Sequence, residues 1–248
     1  LIVWALFDSG NGSYTKVVEK YFKGDVKIYP IGIDIENKND HFINLNLADF
    51  GYLFGDNSTY DKLDRLPRPQ LIIASPPCES WSVASAMAGG NACWKQEVGG
   101  DLFVPQVPLS RFTVRSYKDY KGYQFIPEKS LINRINGELT IFNTIQIIKK
   151  YKPKYYIIEN PAYGRIWDYI KEILGFVIPY ENLTYYNNYG FPISKPTKFG
   201  SNIDLKLKKD KKPNKINFNE VRGYNERSNI PELLVKDIFK KVIEKETK

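Results

Sequence analysis

Leu1-Ile2-Val3-Trp4-Ala5-Leu6-Phe7-Asp8-Ser9-Gly10-Asn11-Gly12-Ser13 is a short apolar run that empties into a glycine turn. A wholly apolar run of this length reads as a parallel strand buried on both faces. Behind the turn, Val17, Val18, Tyr21 and Phe22 fall on one helical face, and Gly24 stops the helix. Strand, glycine turn and helix together open an α/β sheet, in which turn glycines let the backbone approach a ligand closely. Ordinary turn glycines are the competing reading of Gly10 and Gly12. The chain starts directly on this strand at Leu1, so we expect residues ahead of it.

A second strand, Val26 to Ile33, ends at Asp34-Ile35-Glu36, about twenty residues after the glycine turn. An acid at that position is placed to accept hydrogen bonds from ribose hydroxyls, with a solvated loop acid as the alternative. His41 to Asp49 alternates apolar and polar residues and predicts a third short strand or its exit loop, from which Asn46 or Asp49 would face an adenine. Gly55 to Gln70, with Pro67 and Pro69, reads as a loop with a helical turn.

Leu71-Ile72-Ile73-Ala74-Ser75-Pro76-Pro77-Cys78-Glu79-Ser80-Trp81-Ser82 then gives a short buried strand closed by two prolines, which fix the backbone and remove donors. Cys78 is thereby presented at a strand's C-terminal edge, where open α/β sheets bind ligands. A cysteine is often a small buried hydrophobe. The stiff Pro-Pro approach suits a nucleophile that must be held in place. Prolines do not lower a thiol pKa, so thiolate character requires electropositive neighbours.

From Ala84 to Asn136 periodicity fails, and Trp94, Lys95, Arg111, Arg115, Lys118, Tyr120 and Lys121 are scattered among glycines. Aromatics interleaved with basic residues suit contact with a nucleic-acid strand; a surface insertion is the alternative. Leu139 to Tyr151 predicts a helix with Ile141, Phe142, Ile145 and Ile148 on one face, broken by Pro153. Tyr155-Tyr156-Ile157-Ile158 is another buried strand ending at Glu159-Asn160-Pro161. If it lies parallel to the Cys78 strand, Glu159 reaches the same edge, as a structural ion pair or as a site residue. Phe176 to Tyr186 and Thr197 to Asn202 predict a closing pair of strands, and the lysines between 206 and 215 a basic, apolar-poor surface. Ile230-Pro231 starts a last helix with Leu234, Ile238 and Val242 on one face.

The totals narrow the classes. At 248 residues with 42% hydrophobic residues, the chain forms one domain, 1–248, with a real core. No run approaches a membrane span, and two cysteines without a signal-like segment predict a reducing, cytoplasmic setting. One histidine leaves zinc sites and histidine-based triads almost without ligands or bases, so we expect no metal. A formal charge of +8 suits a polyanionic partner such as nucleic acid.

Taken in order, these motifs resemble the S-adenosylmethionine-dependent DNA cytosine carbon-5 methyltransferases, closest to the short phage-type enzymes, over nearly the whole chain. Phe7-Asp8-Ser9-Gly10-Asn11-Gly12-Ser13 looks like the family's cofactor loop, Asp34 with Ile35 and Glu36 like its ribose-binding segment, and Asn46-Leu47 like its adenine contact. Pro76-Pro77-Cys78 with Ser82 resembles the nucleophile motif and Glu159-Asn160 the Glu-Asn motif. Tyr189-Gly190-Phe191-Pro192 is similar to the lead-in of the Gln-x-Arg-x-Arg motif, and Arg227 with Ile230-Pro231 to a C-terminal element. The resemblance implies a Rossmann-like class I fold, with a mostly parallel sheet, helices on both faces and an antiparallel closing strand.

It also implies a chemistry. Cys78 would add to carbon 6 of a flipped-out cytosine, and Glu159 would serve as a proton donor of raised pKa at ring nitrogen 3. The methyl group would come from S-adenosylmethionine, and double-stranded DNA would be the partner, gripped in part by Arg111 and Arg115. Two features depart from the family. Ile193-Ser194-Lys195-Pro196-Thr197 stands at the Gln-x-Arg-x-Arg motif, so Thr197 replaces the base-holding arginine and Lys195 is its substitute. The usual Gly-Asn-Ser-Val element is absent, and no segment is large enough for an ordinary target-recognition domain. Specificity is left to residues 86 to 135, to 203 to 225, or to a partner subunit. The alternatives are an RNA cytosine methyltransferase and a catalytically inactive DNA-binding regulatory homologue. Restriction-modification and phage self-protection both fit as settings, in a bacterial or phage-infected cell.

Overall fold

The computed structural model describes residues 1–33, 39–83, 94–95, 113–114, 127–216 and 229–247. Seven strands form one sheet: β1 (Ile2–Leu6), β2 (Lys27–Gly32), β3 (Ile43–Asn44), β4 (Leu71–Ala74), β7 (Tyr155–Pro161), β8 (Tyr180–Tyr185) and β9 (Pro196–Ser201). Two further strands, β5 (Trp94–Lys95) and β6 (Thr113–Val114), pair antiparallel with each other. The main order is β3-β2-β1-β4-β7-β9-β8. β1 pairs in parallel with both β2 and β4, and β4 with β7, whereas β9 runs antiparallel to both of its neighbours. This is an α/β fold with a mostly parallel sheet, compatible with a Rossmann-like architecture.

The period-two alternation of buried strands divides the core into two layers. Val3, Ala5, Leu71, Ile73 and Ile157 face helices α1 (Ser13–Tyr21) and α4 (Glu232–Glu246). On the other face, Trp4, Leu6, Ile72, Ala74 and Ile158 meet α2 (Ser58–Asp64) and α3 (Pro127–Tyr151). Truncating one of these fully buried isoleucines to alanine costs about 2–5 kcal/mol. Among the described residues, no helix is long and apolar enough to cross a membrane.

Four sequence expectations need correction. The helix expected from Leu139 begins at Pro127, so its first turns fall inside the stretch read as irregular. Leu131, Ile132 and Ile135 are exposed there, which is why no apolar period marked the start. Gly137 lets this half of α3 approach the turn after β4, because a Cβ there would lie 2.9 Å from the Cβ of Ser80. Residues 58–64, read as a loop with a helical turn, form α2. The stretch after β9, read as apolar-poor surface, buries Ile203, Leu205 and Leu207 in the layer beside α4, with Lys206 and Lys208 pointing outward between and after them. The lysines hid this alternation in the composition. β8 is also shorter than expected, starting at Tyr180.

Candidate active site

Strand order reverses about β1: the chain moves outward through β2 and β3, then returns to place β4 on β1's other side. The crevice beyond the C-terminal ends of β1 and β4 is thus the topological switch point, where open α/β sheets bind ligands. A cavity of about 270 Å³ occupies it. Phe7, Asp8, Ser9, Gly12, Ser13 and Tyr14 form one wall, Ser75 to Cys78 another, and Glu159, Pro161, Lys195, Asn229 and Ile230 close it. A second hollow of about 220 Å³ shares Phe7, Asp8, Ser9 and Pro77, and runs under β2 and β3 to Asn46, Leu47, Asn136 and Thr140.

The β1–α1 loop is built around the Asp8 carboxylate, which accepts hydrogen bonds from the amides of Gly10 (2.9 Å), Gly12 (3.1 Å) and Thr15 (3.1 Å). Gly10 adopts a positive φ of 76°, and a Cβ at Gly12 would sit 2.4 Å from Asp8 Oδ1, so each glycine has its own reason. Phe7, a bulky residue, holds φ at 65°. That conformation is strained for an aromatic side chain, and such strain clusters at functional sites. Burial pushes the Asp8 carboxyl up, and the amides of Thr15, Gly10 and Gly12 oppose this. Asn11 and Gly10, though part of the expected cofactor loop, do not line the cavity; Asn11 is exposed.

Asn46 and Leu47 are held by a buried polar residue that sequence reading missed. The Asn143 side-chain amide on α3 donates to the carbonyls of Leu47 (2.8 Å) and Asp49 (2.7 Å). An asparagine on the apolar face of that helix was the available signal, since a buried amide must find partners. Asp49 turns away from the hollow, and its carboxylate accepts from Thr59.

Parallel pairing of Ala74 with Ile158 sets Glu159 level with Ser75, three residues before Cys78. Glu159 is 8% exposed and lines the same cavity as the half-buried Cys78. Around Glu159 stand Lys195, Ser75 and Tyr186; Ser75 also hydrogen-bonds the Tyr14 hydroxyl at 2.7 Å. Tyr186 Oη is fully buried without a hydrogen bond of good geometry, and Glu159 and Thr197 are the polar groups beside it. Burial pushes the Glu159 carboxyl above the usual carboxylate range, against the pull of Lys195 and the two hydroxyls. Burial also pushes the Cys78 thiol up, Glu159 adds to the shift, and Lys195 opposes it. Thiol and carboxyl are therefore coupled: ionising either one disfavours ionising the other.

Asn160 is buried and donates to the Pro76 carbonyl at 2.9 Å, so it fixes the Pro-Pro turn and does not line the cavity. Ser82 caps the same turn, its amide donating to the Cys78 carbonyl at 2.9 Å. Thr197, expected where a base would be held, is fully buried beneath the cavity and is absent from its walls. Lys195, two residues earlier, reaches the cavity instead because antiparallel β9 brings its start to the end of β7, pairing Thr197 with Pro161. Asp34, Ile35, Glu36, Arg111, Arg115 and Arg227 lie outside the described residues. Tyr14, Ser75, Tyr186 and Asn229 are site residues that the sequence did not single out. No protein-family model matches this chain, nor does any curated protein.

Proposed function

We propose that this chain transfers a methyl group from S-adenosylmethionine to carbon 5 of a flipped-out cytosine in DNA, through a covalent Cys78 adduct. The observation that carries this reading is that Cys78, Glu159 and Lys195 meet in one cavity with the β1–α1 loop, at the switch point of the sheet. The antiparallel strand β9, inserted between β7 and β8, supports a class I methyltransferase architecture.

The residues present fit the cofactor. Phe7, Ser9, Gly12, Asn46 and Leu47 line two adjoining hollows, Gly12 has no room for a side chain, and the start of α1 offers amides and a positive dipole to a carboxylate. When bound, S-adenosylmethionine supplies an electrophilic methyl group. Cys78 passes its proton to solvent, and the resulting thiolate forms the sulfur–carbon 6 bond, moving the electron pair of the 5,6 double bond onto carbon 5. Glu159, whose carboxyl pKa burial raises, donates in its protonated form a hydrogen bond or proton at ring nitrogen 3, where negative charge develops. A neutral Glu159 also lifts its repulsion from the Cys78 thiolate, and Lys195 then stabilises that thiolate. After methylation, the carbon-5 proton passes to solvent, its bonding pair restores the 5,6 double bond, and the carbon 6–sulfur bond breaks to release Cys78 as thiolate.

Transfer of labelled methyl to unmethylated duplex DNA, with transfer RNA in parallel, tests this. Label in DNA that falls below detection in Cys78→Ala is the expected result. Label in RNA alone overturns the choice of DNA. Label in neither, from folded protein that binds S-adenosylmethionine, overturns the catalytic reading.

A further inference from the structure

Residues 206 to 215 contain six lysines and one aspartate, and this stretch is held along its length by Thr184 of β8 and by residues of the turn and loop that follow it. Thr184 Oγ1 donates to the Lys208 carbonyl (2.6 Å), Asn188 to that of Asp210 (3.0 Å), and Asn187 to that of Lys212 (2.9 Å). Asn214 Oδ1 accepts from the Ser194 amide (2.6 Å), and the Lys215 amide donates to the Pro192 carbonyl (2.8 Å). Upstream, Ile203, Leu205 and Leu207 anchor the segment in the core. The carbonyls of Lys208, Asp210 and Lys212 and the amide of Lys215 thereby hold the strap down, and the lysine side chains are left exposed. Among the described residues, Lys209, Lys211, Lys212 and Lys215 make no ion pair, although cations elsewhere on the surface do. A charge run serving only solubility needs no such tethering.

The strap also leads somewhere. Its contact with Ser194 sets Asn214 and Lys215 beside Lys195 in the cavity wall. On the other side, Lys211 acts electrostatically on Tyr163, two residues past Pro161 of the same wall. Tyr163 is 58% exposed. Lysines spaced along an extended chain, with an exposed aromatic ring beside the mouth of a base-sized cavity, are what a nucleic-acid strand needs: cations for phosphates and a face for stacking.

We propose that Lys209, Lys211, Lys212 and Lys215 form a sequence-independent track for a phosphodiester backbone, which Tyr163 stacks against and Lys195 receives at the cavity. It rests on the reading that the cavity takes a nucleobase. The track assigns affinity to this segment and leaves base-specific recognition to other parts of the molecule, because its exposed groups are lysine ammoniums, which contact phosphates.

The test measures binding of the full chain to a thymidine-only oligonucleotide across salt concentrations, without S-adenosylmethionine. That ligand has phosphates and bases but no cytosine to methylate, so the result is independent of methyl transfer. The variant Lys209→Gln/Lys211→Gln/Lys212→Gln is expected to flatten the slope of log affinity against log salt by about 2, at roughly 0.7 per single-strand phosphate contact. A variant with the same charge loss at and just before β2 and on α4, Lys23→Gln/Lys27→Gln/Lys240→Gln, should keep the slope. Tyr163→Ala should weaken binding about tenfold, and Tyr163→Phe should not. An unchanged slope in the strap variant, an equal loss in the control, or no binding by the wild-type chain at low salt overturns the track. Uridine-only RNA and an adenine–thymine duplex, run in parallel, show which backbone the strap prefers. A chain that binds through the strap yet transfers no methyl keeps the track and loses the proposed activity.

Discussion

Asp8 at the end of β1 and Glu159 near the end of β7 are both buried carboxyls at the same edge of the sheet, yet their surroundings differ in kind. Asp8 is surrounded by backbone amides of its own loop: three N–H groups within seven residues converge on it. Glu159 is surrounded by side chains from distant segments: Ser75, Tyr186 and the Lys195 ammonium. Fixed amides can only donate, so the first environment suits a permanent acceptor that shapes a loop. Hydroxyls and an ammonium can adjust as a proton moves, so the second suits a group whose ionisation changes during a reaction. Burial pushes both carboxyls up, and the partners decide what that shift is used for.

Exchanging each acid for its amide should separate the two roles. Glu159→Gln is expected to lower methyl transfer by about 10²–10⁴-fold, the range of a lost general acid, while the protein stays folded. Equal activity in this variant would remove Glu159 from the chemistry. Asp8→Asn should act mainly on stability: its amide turns donors toward donors, costing about 1–3 kcal/mol in urea unfolding. A variant as stable as wild type would show that the loop does not depend on its carboxylate.

The pH dependence sharpens the contrast further. Glu159 has a raised pKa in the folded chain against about 4.3 in the unfolded one, so between those values the native state holds more protons. Its contribution to stability is therefore fully present below the unfolded value and is lost as pH rises through the folded one. Glu159→Gln lacks this loss, so its stability relative to wild type should rise over that window and then level off. A difference that is flat with pH would mean that Glu159 titrates normally.

The smallest effect is expected at the thiol. Glu159→Gln should lower the Cys78 pKa and speed its alkylation by iodoacetamide near pH 8, whereas Lys195→Met should raise the pKa and slow the reaction. Each change in rate should be about three- to tenfold, in the direction of the thiolate fraction. Rates that move the same way in both variants would break the coupling between carboxyl and thiol.

What was legible in the chain was local. The apolar run before Asp8, the turn glycines, and the prolines before Cys78 are signals carried by adjacent residues, and each stands where the sequence put it. Their shared edge followed from the one assumption that buried apolar strands lie parallel, which the pairing of β4 with β7 bears out. The helix start at Pro127 was not legible, because its exposed leucine and isoleucines gave no period and its packing against Ser80 depends on a glycine contact far along the chain. The buried stripe of the lysine strap was present as alternation, but composition outweighed it.

The sequence by itself determined that this is an α/β sheet carrying a cysteine and a glutamate at the ends of buried strands, since burial and chain direction follow from short-range pattern. Only the tertiary structure decided which side chains surround them. Tyr14 comes from a helix, Tyr186 from a turn after the edge strand, and Lys195 from the residue just before the antiparallel strand β9; Thr197 is withdrawn into the core. Those positions depend on strand order and on the register of β9, which are set by packing between segments far apart in sequence.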